Sequence, residues 1–108
     1  MEEEEVYIIV EQMPGFPGGE EALLKYISDH MEYPTMAIER GIEGRVTVRF
    51  VVNKDGYVEN VEVIRGVHEL LDKEAVRVIK SLPRWNPGKQ NGVAVAVYYN
   101  VPVNFTLN

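Results

Sequence analysis

The chain has 108 residues, which suits a single domain, and its 45% hydrophobic content is enough for one core. The formal net charge is −6 and no basic stripe appears, which disfavours nucleic acid and anionic membrane surfaces as partners. There are no cysteines, so disulfides and thiolate chemistry are excluded. No stretch is long enough to span a bilayer. The opening MEEEE predicts an acidic, solvated tail over residues 1–5 and a domain over residues 6–108.

The first part of the chain predicts a short strand followed by two helices. Residues 6–10 are the strand, and a loop rich in proline and glycine follows. The first helix has one apolar face, formed by Ala22, Leu23, Tyr26, Ile27 and Met31. Tyr33-Pro34 ends this helix, because the residue before proline avoids the α region. A second, short helix is predicted over residues 35–40, with Thr35 as its cap and an end at Gly41.

The centre of the chain predicts a β-hairpin. Alternate residues of the first strand are apolar, namely Val46, Val48, Phe50 and Val52. NKDG forms the turn, in which Gly56 supplies a positive φ. The return strand covers residues 57–65, and its phase change predicts a bulge near Glu59 and Asn60.

A long amphipathic helix and a long strand complete the chain. The helix spans residues 69–82, and its apolar stripe consists of Leu71, Ala75, Val78, Ile79 and Leu82. Residues 85–92 are rich in turn formers and contain Trp85, a predicted packing anchor. The last strand begins at Val93 and alternates apolar residues as far as Leu107.

This order of elements predicts an α+β fold. A hairpin, a helix and a third strand form a split β-α-β arrangement, in which the third strand lies beside the first. The result is a three-stranded antiparallel sheet of order 2-1-3 with a packed helix, plus the N-terminal strand and helices. The third strand then has an open flank. Pro102 agrees with this position, because prolines in sheets are confined to edges, strand starts and bulges.

The open flank predicts binding by strand addition. If Pro102 faces outward, regular geometry places the main-chain groups of Asn100, Asn104 and Thr106 on the open side as well. Long apolar edges recruit other chains, so the added strand would come from a partner's peptide or from a second copy. The alternative is that residues 6–10 or the acidic tail cover this edge.

Four segments stand out by their order and spacing, namely FPGGEEALLKYI, YPTMAIERGIEGRVTVRFVVNKDGYVENVEVIRGV, LLDKEAVRVIKSLPRWNPGKQNG and VPVNFTL. Together they are similar to the C-terminal domain of the TonB family in its Bacteroidetes form. The resemblance covers nearly everything after the acidic start.

The resemblance implies a mechanical role in the periplasm. TonB is anchored in the inner membrane and coupled to the ExbB–ExbD motor, and its C-terminal domain binds the TonB box of outer-membrane receptors. In the family the box adds to the last strand, and force through it drives uptake of siderophores, vitamins or glycans. The docking strand here would be residues 98–107, with Tyr98, Asn100, Asn104 and Thr106 tuning specificity around Pro102. Tyr33 and Pro34 match the family's YP motif, which lies near the receptor contact.

The chain departs from the family pattern in two respects. The membrane anchor and the Pro-rich linker are missing, so we expect the chain to be a domain of a longer protein. The residues before YP, His30 to Glu32, do not match the family's receptor-contact residues by identity.

Catalysis is the competing class of function. His68 and Asp72 lie four residues apart and could share a metal, but no third or fourth ligand is placed in the sequence. Asp72 and Glu74 could form an acid–base pair, yet acids in a first helical turn are ordinary partners of the helix dipole. We therefore predict a domain without catalytic activity, cofactor or metal.

Two other interpretations keep the fold and change the context. The same domain type is also attached to envelope sensors and membrane peptidase-like proteins, where it would bind a partner without a motor. The second interpretation is a homodimer formed through the open edge.

Overall fold

The computed structural model describes residues 5–108. It contains three helices and five strands in this part of the chain. In chain order they are β1 (Val6–Tyr7), α1 (Glu20–His30), α2 (Thr35–Glu39), β2 (Gly44–Val52), β3 (Val58–Arg65), α3 (Glu69–Lys80), β4 (Gly88–Gln90) and β5 (Val93–Phe105). No helix in residues 5–108 is long and apolar enough to cross a membrane.

The sheet has the order β1-β5-β2-β3, and β4 pairs with the beginning of β5. β2 pairs with β3 and with β5 in antiparallel fashion, whereas β1 runs parallel to β5. The β2–β5 register is continuous from Gly44 opposite Phe105 to Val52 opposite Val97. The first hairpin strand (β2) therefore lies between the second hairpin strand (β3) and the last strand (β5). This confirms the predicted order 2-1-3, in which these three strands were numbered 1, 2 and 3.

The core lies on one face of this sheet, beneath the helices. Alternate residues of β2 and β5 face inward and meet the predicted apolar stripe of α3. Trp85 is 2% exposed and makes edge contacts with three aromatic rings, so it is a packing anchor as predicted. The largest fully buried side chains are Phe50, Phe105, Leu23, Leu71, Ile79, Val46, Val48, Val51, Val52, Val78, Val97 and Val103.

Two local predictions for the hairpin are confirmed. Asn60 has a φ of 52°, and the register with β2 shifts between the pairs at Arg49 and Val51, which places a bulge at the predicted point. Gly56 has the expected positive φ of 90°. Its N–H donates to the Asn53 carbonyl at 2.9 Å, which closes the turn.

Three predictions about local structure were wrong. Thr35 is the first residue of α2 rather than its cap, because Pro34 occupies the N-cap position and no side chain caps the helix. The predicted strand over residues 6–10 pairs only at Val6 and Tyr7. The turn-rich link predicted over residues 85–92 contains a strand, β4, which joins β5 through Asn91 and Gly92, both at positive φ. The predicted tail over residues 1–5 falls almost wholly outside the described residues.

Candidate functional site

The outer flank of β5 is covered at one end and open at the other. β1 pairs with Ala96 and Val97, and in the described chain no strand continues along this flank from Tyr98 to Phe105. Beyond Tyr7 the chain leaves β5, because Gln12 N–H donates to the Lys89 carbonyl and the segment follows β4 instead. About eight residues of β5 therefore have a free outer row of main-chain groups.

Pro102 fixes which residues of β5 direct their main chain outward. It lies opposite Thr47 in a register without shifts, and proline has no N–H to donate to β2. In a regular antiparallel ladder the pairs alternate between hydrogen-bonded and non-hydrogen-bonded types. The Thr47–Pro102 pair belongs to the second type, and so do the pairs of Asn100 and Asn104 with β2. Their amides consequently face the open flank.

Helix α1 forms an apolar wall beside the open part of β5. A cleft of about 270 Å³ separates the two elements. Leu24 is 44% exposed at this cleft, although most apolar residues of α1 are turned into the core. We call this the α1 cleft; it is lined by Leu24, Ile27, Ser28, Met31, Pro102 and Asn104.

A second cleft, of about 370 Å³, lies where β1 leaves β5. Ile8 is 79% exposed and Met13 is 42% exposed, so this end of the edge is also apolar. We call it the β1 cleft; its lining residues are Ile8, Met13, Arg49, Tyr98, Tyr99 and Asn100. The two clefts lie one after the other along the open edge. A strand added there would place side chains in both.

The side chains of Tyr98 and Asn104 are held by arginines of β2. The Arg49 guanidinium lies 4.7 Å from the centre of the Tyr98 ring, a cation–π arrangement. Arg45 Nε donates to Asn104 Oδ1 at 3.0 Å. The structure therefore fixes these two side chains on the face of the sheet opposite the helices, while their main chains face the flank.

β5 is shorter than the predicted strand, which continued to Leu107. β5 ends at Phe105, and Thr106 and Leu107 lie beyond it. The Leu107 N–H donates to Glu43 Oε1 at 2.8 Å, so this amide has a partner within the chain. Residues 98–105 are the part of β5 with an open flank.

Tyr33 and Pro34 lie at the far end of the same strand. The Tyr33 ring packs edge-on against Phe105 with 5.5 Å between centres, and its hydroxyl donates to the Ile42 carbonyl. Desolvation and the charge of Glu43 raise the pKa of Tyr33. Pro34 is the N-cap of α2. Tyr33 thus supports the last residue of β5, whereas Pro34 begins α2.

The residues considered for catalysis have structural partners. His68 is the N-cap of α3, and its Nδ1 accepts a hydrogen bond from the Leu70 N–H at 3.1 Å. Asp72 Oδ1 accepts from the Val67 N–H at 3.0 Å. No group of three or more potential metal ligands occurs among residues 5–108.

Sequence reasoning missed two parts of the site. Asn91-Gly92 between two strand-like segments is a strong hairpin signal and would have predicted β4. Leu24, on α1, lies outside the apolar stripe that was assigned to that helix, and no local signal distinguishes it from an ordinary exposed apolar residue.

Comparison with known proteins gives consistent matches. The family model for the Gram-negative bacterial TonB protein C-terminal matches residues 29–107. The chain is 34% identical over 82 residues to Protein TonB of Helicobacter pylori, covering 75% of this chain and 27% of that protein. It is 38% identical over 64 residues to Protein TonB of Pseudomonas aeruginosa, covering 59% and 19%. The chain thus spans about a quarter or less of these relatives.

Solved structures agree with the sequence matches. The NMR solution structure of the Helicobacter pylori TonB-CTD has a TM-score of 0.62 and 31% identity, covering 78% of this chain and 76% of that one. The solution NMR structure of the Pseudomonas aeruginosa TonB CTD has a TM-score of 0.52 and 29% identity, covering 73% and 85%.

Proposed function

The chain belongs to the Gram-negative bacterial TonB C-terminal family, and from this premise we propose that it is the receptor-binding domain of a TonB-type energy transducer. It acts in the periplasm, and a part of the protein outside this chain connects it to ExbB–ExbD. It binds the TonB box of an outer-membrane receptor and has no catalytic role of its own.

One observation carries this proposal: the outer flank of β5 is open from Tyr98 to Phe105. A peptide that adds as a strand satisfies this row of main-chain groups, which supplies affinity with little dependence on sequence. Several hydrogen bonds along such a strand are loaded together when the peptide is pulled parallel to β5. The arrangement therefore suits a domain that transmits force.

The clefts supply the specificity of this docking. Side chains of an added strand alternate between the two faces of the sheet. Those on the helix side meet the α1 cleft at Leu24 and Met31, and those on the other side meet the β1 cleft at Tyr98. The peptide that fits best is extended and carries an apolar residue on each face.

An NMR titration of the ¹⁵N-labelled domain with a receptor-derived TonB-box peptide tests the proposal. We expect amide shifts concentrated on residues 98–105 and at Leu24 and Met31. If no box peptide causes shifts in the folded monomer, the transducer role fails and an envelope sensor or peptidase-like host becomes the better interpretation. If the outer amides are already protected from exchange without peptide, the acidic tail or a second copy occupies the edge.

A further inference from the structure

The opposite edge of the sheet carries a larger groove that the docking at β5 does not use. β3 is the terminal strand on this side, and α3 packs next to it. Between them lies a groove of about 520 Å³. We call it the β3–α3 groove; its lining residues are Val63, Asp72, Lys73, Val76, Arg77 and Lys80.

The floor of the groove is apolar and its rim is basic. Val63 and Val76 are half-buried and form the floor. Arg77 is paired with Glu74 at 2.6 Å, so its charge is compensated, whereas the Asp72 carboxylate accepts from the Val67 N–H and keeps its negative charge in the first turn of α3. Lys73 and Lys80 form no ion pair within residues 5–108. Two lysines without an ion-pair partner in the described residues therefore border an apolar floor in a chain whose net charge is −6, and Asp72 is the one acid that lines the groove with them.

The spacing of the rim defines a ligand pattern. Lys73 and Lys80 are seven residues apart on α3, about 10.5 Å along the helix axis, with Val76 between them. In an extended peptide, two residues four positions apart face the same side and are about 13 Å apart. The flexible lysine side chains can span the difference between this distance and the spacing of about 10.5 Å on the helix. An acidic–apolar–acidic segment of the form Glu-x-Leu-x-Glu matches this order of charge and apolar surface.

We propose that the β3–α3 groove is a second docking site, which binds an extended protein segment of this acidic–apolar–acidic type. Two shifts of register interrupt β3, so regular strand addition is poor along this edge. Recognition at the groove therefore depends on side chains, unlike recognition at β5. The two sites lie on opposite edges of the sheet and can be occupied together.

The test is an NMR titration of the ¹⁵N-labelled 108-residue chain with the peptide acetyl-Gly-Glu-Ser-Leu-Ser-Glu-Gly-amide at concentrations up to millimolar. A matched peptide carries lysine in place of both glutamates. We expect saturable amide shifts at Val63 and along residues 73–80 with the acidic peptide and none with the basic one. Absence of shifts with the acidic peptide, or equal shifts with both peptides, would overturn the proposal.

Paired variants identify the groups that bind. The double variant Lys73→Gln/Lys80→Gln should weaken binding about fivefold to tenfold, as expected for the loss of two surface ion pairs. The control Lys54→Gln/Lys89→Gln removes two exposed lysines elsewhere and should change binding less than about twofold. An equal loss in the control would show general charge attraction and overturn the site. Val76→Ser tests the apolar floor, and undiminished binding by this variant would also contradict the proposal.

Discussion

Tyr7 lies opposite Val97 in a parallel pairing, and this is the last pair that β1 makes with β5. From the next residue, Tyr98, the outer flank of β5 is open, while Ile8 and Ile9 are 79% and 77% exposed beside it. The Tyr7–Val97 pair therefore marks the start of the surface that an added strand can use. The N-terminal segment therefore covers only one end of this edge, and binding of an added strand at the open part stays a prediction.

The first prediction concerns the main chain of the open edge. Replacing Asn104 with proline removes an outward N–H without disturbing the ladder with β2. Asn104 is two residues from Pro102 in a regular register, so its N–H also points away from β2. The fold should persist and the affinity for a TonB-box peptide should fall about fivefold to tenfold, the effect of a lost hydrogen bond. Isothermal titration calorimetry measures the affinity, and urea unfolding checks the fold.

Asn104→Ala is the matched control for this prediction. It keeps the N–H and removes only the side chain that accepts from Arg45. Peptide affinity should stay within about twofold of the parent, since an exposed side-chain hydrogen bond contributes little. If the proline variant binds as well as the alanine variant, the main chain at this position does not take part in docking.

The second prediction concerns the α1 cleft. Leu24→Asp places a charge on the wall that a docked apolar side chain would contact, and this should weaken binding of a box peptide about threefold to tenfold. Ile38→Asp is the control, because Ile38 has a similar exposure of 50% and lies on α2 outside the clefts along β5. The same calorimetric titration compares the two variants. Equal losses would mean that α1 does not contact the peptide.

Most of the sheet could be predicted because its signals are local. Apolar residues recur at every second position from Val46 to Val52 and at helical spacing in α3. Pro102 indicates an edge strand because it has no N–H to donate. The register of β5 against β2 then follows from connecting a hairpin, a helix and a strand in the right-handed way. The residues that determine these parts of the fold can be interpreted from the sequence of a single helix or strand.

The cover at the start of β5 could not be predicted in the same way. The pairing of Val6 with Ala96 joins residues 90 positions apart and involves only two residues of β1. Nothing in the local pattern tells a strand of two residues from one of five, because Ile8 and Ile9 are as apolar as Val6. The clefts likewise depend on how closely α1 approaches β5, which is set by tertiary packing.

The third prediction concerns the hairpin turn and Trp85. Gly56 has a φ of 90°, and a Cβ built there would lie 2.1 Å from the Trp85 carbonyl oxygen. The Trp85 N–H also donates to the Gly56 carbonyl at 2.8 Å, so the two main chains cannot separate without losing this bond. Gly56→Ala should lower the free energy of unfolding by about 2 to 4 kcal/mol. Urea unfolding at equilibrium measures this change.

Gly92→Ala separates the two causes of this loss of stability, which are the steric contact with Trp85 and the cost of a positive φ. Gly92 has a φ of 77°, but a Cβ there would have nothing within 4 Å. Only the conformational cost applies, so this variant should lose about 1 kcal/mol. A similar loss in both variants would mean that the contact with Trp85 relaxes freely and that backbone conformation alone matters.

The fourth prediction concerns pH and Glu74. Burial alone would raise the pKa of Glu74, but hydrogen bonds from Arg77 and from the Glu32 N–H, together with the Arg77 charge, hold it below the ordinary value of 4.5. The folded state therefore binds this proton less readily than the unfolded state. The stabilisation is fully present above the unfolded pKa and is lost as the pH falls through the folded one.

Glu74→Gln should remove this acid sensitivity. The difference in unfolding free energy between parent and variant should be largest near neutral pH and should shrink as the pH falls from about 5 to about 3. Urea unfolding across this range measures it, with Glu39→Gln on the exposed side of α2 as the control. A constant difference for Glu74→Gln would show that the carboxylate's bonds to Arg77 and Glu32 do not stabilise the junction of α1 and α3. A shrinking difference in Glu74→Gln alone would locate part of the acid lability at that junction, on the core side of the sheet whose β5 edge is open.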